Sequence, residues 1–441
     1  MAIGLINNTI LKPSCSSSSC DEQSVIPNDV LVPLTIFDKA AFDLHVAVLY
    51  AFKPPMPSNE VMKEALSKVL VHYPHLAGRF TTDNQGRTCI LLNNAGIRVT
   101  ETYVPTTLAE QLPFDPSKDV SHLLPPTEGV EELFQVQLNR YACGGLVIGH
   151  TAHHRVADGQ SMSSFFVAWA RFVRGLNIDP FPFHDRSAVS VPRNPPKVEF
   201  DHRSIEFKKT TINPDITPVF SSSIETLIIH YSNEFTNKLK AKVVEENCNP
   251  HQRFSTFECL LSHAWKKVTQ ARGLDLEECT QVRVAVNGRA RIKPAVPMEY
   301  FGNLVLWAYP KLKVKEVLNE SHAYIAKAIH DEVIRVDNKY FKSFIDFGEI
   351  TKGDGEELEA TAPEIGNTLC PNLEVDSWLR FQFHDLDFGG GGPCAFFPPN
   401  IPVEGLLVFL PSCKEGGGVD LVLSLLPEHV HLFKQISHSM D

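Results

Sequence analysis

Nowhere in the 441 residues do about 18 uncharged apolar residues run together, so nothing in the sequence reads as a membrane-spanning helix. Residues 1–14 also lack a basic start followed by a long apolar run, and the expected address is the cytosol. There is no CxxC pair among the ten cysteines, of which Cys15, Cys20, Cys143, Cys259, Cys370 and Cys413 show the scatter. Such spacing reads as free thiols in a reducing compartment rather than a disulfide framework. Clustered Lys and Arg are missing too, and the net charge is -11, which excludes nonspecific nucleic-acid binding. An anionic substrate would have to meet a local positive cluster set against the overall sign. No repeat, heptad run or low-complexity tract appears beyond the serines at 16–19.

What is present is an ordinary globular composition, 43% hydrophobic and 21% charged. The chain is too long for one core, because single cores rarely grow past roughly 250 to 300 residues. Two lobes are expected. Ser58 precedes a helix over 59–71, where Val61, Ala65, Leu66, Val69 and Leu70 recur at helical spacing before Pro74. The apolar run 141–153 reads as strand; Asp158, Gly159 and Ser161 form a turn into a helix over 162–173. Pro192, Pro195 and Pro196 mark an extended connection, so the first lobe is placed at 1–190, a crossover at 191–220 and the second lobe at 221–441. In the second half Val282, Val284 and Val286 alternate as in a strand, 256–272 and 314–336 carry helical patterns, and 373–383 is strand-like. Asp354, Glu356, Glu357, Glu359 and Glu364, with Gly353 and Gly355, form an acidic loop over 351–364. Strands and helices mix in both halves, which is an α/β class.

His154 stands where the apolar strand gives way to the turn, in His154-Arg155-Val156-Ala157-Asp158-Gly159. Imidazole, with a pKa of about 6.5, can take a proton from an attacking nucleophile near neutral pH. Asp158 can cap the following helix or pair with an arginine. The HxxxD spacing alone leaves a general base, a hydrogen-bonded structural histidine and a metal ligand all open. Strand alternation weakens the last, since His150 and His154 share a face and His153 points the other way. Gly159-Gln160-Ser161-Met162-Ser163 lacks the closing Gly of a nucleophile elbow, and the glycines at 389–392 are followed by no Lys-Ser or Lys-Thr.

Taken together, His154 to Gly159 and Asp387-Phe388-Gly389-Gly390-Gly391 resemble the paired HxxxDG and DFGWG signatures of the plant BAHD acyltransferases. Ser255-Thr256-Phe257-Glu258, Asn287-Gly288-Arg289-Ala290-Arg291 and Tyr300-Phe301-Gly302-Asn303 follow in family order, so the resemblance spans the chain. It implies a two-lobed, chloramphenicol acetyltransferase-like fold of mixed sheets with flanking helices and a channel between the lobes. Part of 360–400 is then expected to pack with the first lobe. It further implies acyl-CoA as co-substrate, no bound cofactor or metal, small-molecule partners and a monomer.

By the same resemblance His154 is the general base and Asp158 a structural brace paired with an arginine of the Arg289/Arg291 segment. Trp378 becomes an oxyanion donor through its indole N–H, or else a core residue. CoA contacts are expected at Ser255, Thr256, Arg289 and Arg291, although a salt bridge explains either arginine equally well. Asp387, Gly389 and Gly391 form a structural turn; Gly390 and Gly392 replace the family's Trp and Lys/Arg, which should loosen it.

Within the family the chain most resembles agmatine coumaroyltransferases and related amine N-hydroxycinnamoyltransferases, in the runs 34–39, 340–347, 372–380 and 387–391. Pro363 falls where shikimate and quinate transferases carry an arginine for the acceptor's carboxylate. A cationic acceptor needs an acidic partner, and Glu374 and Asp376, on one strand face with Trp378, are the candidates beside a solvated strand edge. The expected reaction is hydroxycinnamoyl transfer from CoA to agmatine or a similar amine, the alternative being O-acylation of shikimate, quinate or another alcohol.

Overall fold

The computed structural model describes residues 4–14, 29–208, 224–249, 251–352, 358–361, 366–399 and 403–441. Cys15, Cys20, the serines at 16–19, the end of the crossover, Pro363 and most of the acidic loop (Gly353, Asp354, Gly355, Glu356, Glu357, Glu364) lie outside them.

Among the described residues, six strands build one sheet in the order Gly4–Leu11, Ile97–Val104, Phe134–Tyr141, Leu146–His153, His45–Phe52, Ala395–Phe397. Six more form the path of a second sheet, in the order Val305–Ala308, Cys279–Asn287, Leu373–Ser377, Leu406–Pro411, Val419–Leu425, Glu225–Tyr231, with Lys311–Lys313 beside the second of these. A small sheet joins Val30–Pro33, Thr88–Leu92 and Arg79–Thr82. Strand Ala395–Phe397 comes from the second half of the chain yet pairs with His45–Phe52 in the first sheet. The two large sheets meet where Leu49, Ala51, Val147 and Phe397 pack against Val408, Leu410 and Val422.

Local sequence explains most elements. Helix Asn59–Leu70 starts at Ser58, whose hydroxyl accepts from Val61 N, and helix Gly159–Val173 starts at Asp158, which accepts from Ser161 N. The two helices pack together, and the buried Trp169 indole donates to Met62 O at 3.0 Å. Helix Thr256–Arg272 is opened by a reciprocal box between Ser255 and Glu258 and closed by Gly273 at φ 61°.

Three expectations need correction. The strand read over 141–153 begins at Leu146, because the glycine-containing segment 142–145 turns the chain between two paired strands. The helical pattern over 314–336 is two helices, Val314–Asn319 and His322–Arg335. Glu320 is extended, and the Ser321 hydroxyl accepts from Tyr324 N, so the side chain competes for the backbone donor and restarts the helix. The strand-like run 373–383 ends as a strand at Ser377. Trp378 N still donates to Phe409 O, but the chain then turns, and Phe381 and Phe383 pack into the core of the first lobe. Aromatic packing across the lobes wins over the alternation.

The described part of the crossover, 191–208, is fastened to the second lobe. Arg193 reaches Asp346 at 2.6 Å, and His202 lies buried between Glu206 (3.1 Å) and Ser343 (2.9 Å). Of the acidic loop, Glu359 is described and pairs with Lys208 at 2.9 Å. No helix among the described residues is long and apolar enough to cross a membrane.

Candidate active site

His154 follows the strand Leu146–His153, in the turn that ends at the helix cap Asp158. Its backbone is tied at both ends: His154 N donates to Leu44 O at 2.9 Å, and Asn303 Nδ2 donates to His154 O at 2.9 Å. The ring is half-buried, 5.5 Å from Phe42. Its Nδ1 is shut off from solvent and makes no hydrogen bond of acceptable geometry. Burial lowers the imidazole pKa below its ordinary value, against its own carbonyl, the Asp158 charge and Asn303, which favour the charged ring. A neutral imidazole at neutral pH is a free base. His150 and His153 lie on opposite faces, the first stacked on Tyr50 in the apolar core and the second beside Phe80 and Asp43. Burial drives both down to about 3.

Asp158 does not spend its oxygens on His154. It accepts from Arg289 Nη1 (2.8 Å) and Nη2 (3.0 Å), Ser161 N (2.9 Å) and Leu304 N (3.1 Å). Burial alone would raise its pKa; the Arg289 charge and these donors outweigh it and hold the carboxyl below its usual range. Arg289 is fully buried, with further bonds to Ser161 Oγ (2.9 Å) and Tyr300 O (2.8 Å). The CoA role expected for Arg289 is therefore corrected, because its guanidinium is enclosed with Asp158 and has no exposed edge for a phosphate.

The other expected CoA residues lie apart. Ser255 is exposed but its hydroxyl is engaged with Glu258, and Thr256 Oγ1 stands 3.4 Å from Lys240 Nζ. Arg291 is half-buried and donates to Val333 O (2.7 Å) and Val336 O (3.0 Å) at the end of a helix.

On strand Leu373–Ser377, Leu373 and Val375 enter the second lobe's core, so Glu374 and Asp376 take the opposite face. Val408, the register partner of Asp376, touches first-lobe residues there. Glu374 is buried and already matched: Arg283 Nη1 donates to both its oxygens at 3.3 and 3.1 Å, and Arg283 Cζ lies 3.9 Å over the Trp307 ring. Its place as an anchor for an incoming cation is thus taken by a protein cation. Asp376 has no hydrogen-bond partner among the described residues and is half-buried. Burial, then the Glu374 charge, pushes its carboxyl up to about 7, with Arg283 pulling the other way.

Trp378 is half-buried at the junction of the apolar clusters of both lobes, its ring 5.9 Å from Phe381 and 6.2 Å from Phe383. Asp387 accepts from Gly389 N (2.7 Å) and Gly391 N (2.8 Å) and faces Arg174 at 3.5 Å. These bonds hold the turn together in the absence of the family's tryptophan. A Cβ on Gly390 would fall 2.3 Å from Pro55 O, which leaves a side chain no room in this backbone. A cavity of about 1530 Å³ between the lobes is lined by Lys53, Phe396, Leu410 and Lys414. Lys53, Pro54 and Cys143 on its wall flank the Phe52/Leu146 end of the paired strands, and His154 is not on its wall.

Sequence reasoning assigned no role to Asp38, Arg186, Asn303 or Arg283. Arg283 had a readable signal, a lone cation between Val282 and Val284. Asp38, Arg186 and Asn303 meet only through tertiary contacts.

The sequence profile of the Transferase family matches residues 19–440. The chain belongs to the BAHD acyltransferase family. It is 51% identical over 416 residues to tryptamine hydroxycinnamoyltransferase 2 of Oryza sativa subsp. japonica, covering 92% of this chain and 93% of that one. To agmatine coumaroyltransferase-1 of Hordeum vulgare it is 43% identical over 415 residues, covering 93% and 94%. Among solved structures, vinorine synthase superposes with a TM-score of 0.72 at 20% identity, covering 98% of this chain and 96% of that one. TRI101 of F. sporotrichioides, complexed with coenzyme A and T-2, gives 0.74 at 18%, covering 91% and 96%. These two establish the two-lobed α/β fold of the acyltransferase.

Proposed function

We propose that this acyltransferase moves a hydroxycinnamoyl group from CoA to the primary amine of agmatine or a similar amine, with His154 as general base. The neutral amine attacks the thioester carbonyl, forming the C–N bond as the C–S bond breaks. His154 takes the proton from the nitrogen and returns it to the departing CoA thiolate, leaving an amide and free CoA. The imidazole is suited to this because burial lowers its pKa and no carboxylate among the described residues hydrogen-bonds to its ring.

The observation that carries the amine reading is Asp376, whose side chain has no hydrogen-bond partner among the described residues and lies on the face turned toward the first lobe. A cationic acceptor supplies what it lacks, whereas a carboxylate acceptor would meet repulsion. The relatives with amine acceptors in their names support the same direction. Trp378 serves in this reading as the oxyanion donor, its indole N–H making no hydrogen bond among the described residues. Ser255, Thr256 and Arg291 remain the CoA contacts of the proposal.

A second reading, an aromatic amine such as tryptamine, is favoured by the 51% identical rice relative and by the ring cluster of Trp378, Phe381 and Phe383. The test is a panel of agmatine, putrescine, tyramine, tryptamine, shikimate and quinate with p-coumaroyl-CoA, analysed for amides and esters. Amide from agmatine at the highest kcat/KM supports the first reading, and from tryptamine the second. Ester alone overturns both. His154→Ala should lower kcat by about 100- to 10,000-fold, and a variant of unchanged kcat ends its role as base.

A further inference from the structure

The turn from His154 to Asp158 is gripped at both ends by one short segment of the second lobe. Gly302 O accepts from Asp158 N (3.4 Å), Leu304 N donates to Asp158 Oδ2 (3.1 Å), and between them Asn303 Nδ2 donates to His154 O (2.9 Å). Asn303 is itself buried, and it is held from behind. Its backbone N (3.3 Å) and its Nδ2 (3.0 Å) both donate to Asp38 Oδ1.

Asp38 is fully enclosed in the structure. Its Oδ2 accepts from Thr35 N (2.7 Å) and Thr35 Oγ1 (2.8 Å) and pairs with Arg186. Neither carboxylate oxygen is left to the substrates, and no bond of Asp38 reaches His154 directly. The short helix that carries it, Ile36–Ala40, buries Phe37 and Ala40 in the second lobe's core. Segments at 35–40, 186 and 303, far apart in sequence, thus meet at the Asp38 carboxylate, and Asn303 alone of them carries the contact on to the His154 carbonyl.

We propose that Asn303, oriented by the buried Asp38, is a positioning residue for His154: its amide fixes the His154 carbonyl and so sets where the imidazole stands. The amide has two N–H donors, and their acceptors are placed on either side of it, one in each arm of the contact. A carboxamide with one donor satisfied is free to rotate; one held between a charged oxygen and a peptide oxygen is not. Charge-assisted bonding to Asp38 makes the Asn303 end the rigid one, so the constraint passes to His154 rather than from it. Among the described residues the backbone at His154 is otherwise held through its own N–H to Leu44. Reaction rates fall steeply when a base is displaced by about 1 Å, which gives the contact its kinetic weight.

This inference rests on His154 being the base. Two variants test it, Asn303→Ala, which removes the amide, and Asn303→Asp, which keeps its size but has no N–H donor. Each is measured for kcat, for KM toward p-coumaroyl-CoA and the best amine of the panel, and for its thermal midpoint, beside His154→Ala. Both are expected to lower kcat about 10- to 100-fold with each KM within about twofold, in protein that remains folded at the assay temperature. A kcat within twofold of wild type in either folded variant overturns the proposal, as does a rise in KM at constant kcat, which would make Asn303 a binding residue. If one variant does not fold, the other decides by the same criteria. An active His154→Ala overturns the base reading itself; an inactive one beside a fully active Asn303→Asp overturns only the positioning role.

Discussion

Arg289 and Arg283 are both buried in the second lobe and both face carboxylates, but the charges around them count differently. Arg289 meets one carboxylate, Asp158, and the pair is completed by Ser161, Tyr300 and Leu304. Arg283 faces Glu374 within hydrogen-bonding distance and has Asp376 in its electrostatic surroundings, so two acids share one cation. The first cluster is closed and neutral, and it joins the lobes. The second carries a surplus acid on a sheet face turned toward the first lobe. A closed pair is read as architecture, whereas an unbalanced one is a place where a cation from outside gains by entering.

The strongest way to break this contrast is Asp158→Ala, which leaves Arg289 charged and enclosed with no counter-ion. It should cost about 3–5 kcal/mol of stability, read from denaturant unfolding. Asp376→Asn should act on binding instead, raising KM for agmatine about tenfold, or about 1.4 kcal/mol, with KM for coumaroyl-CoA little changed. Equal KM values for wild type and variant would remove Asp376 from the acceptor site.

The pH dependence of stability sharpens the same point. An acid whose folded pKa is raised costs nothing below its unfolded value near 4, and the cost grows as pH climbs toward about 7. Asp376→Asn should therefore gain on wild type between pH 4 and 7, measured as the gap between their unfolding midpoints, and hold that gain above. The smallest effect is expected from Glu374→Gln. Losing the Glu374 charge lets Arg283 serve Asp376, whose carboxyl then falls back from about 7, and KM for agmatine should rise by about two- to fivefold.

Local elements were legible where one side chain controls one backbone group. Ser58, Asp158 and Ser255 each cap the helix that follows, and the alternation of Val282, Val284 and Val286 marked a strand with its core face. The same logic failed at Ser321, where a cap inside a helical pattern was read through, and at Trp378, where a strand-like run leaves its sheet to cross between lobes. The site was legible as two motifs, but the partners were not. Glu374 and Asp376 look alike in sequence, and only Arg283 on the neighbouring strand separates them.

The sequence by itself determined the family, the histidine at the strand end and the aspartate that caps the helix after it, because these depend on residues within a few positions of one another. Tertiary structure decided which charges are spent and which remain. Arg289 became the brace of Asp158 instead of a CoA contact, Asp376 instead of Glu374 was left without a hydrogen-bond partner among the described residues, and Asp38 and Asn303 were brought behind His154. The physical reason is that a buried charge is defined by what surrounds it, and those surroundings come from segments 91 or more residues apart.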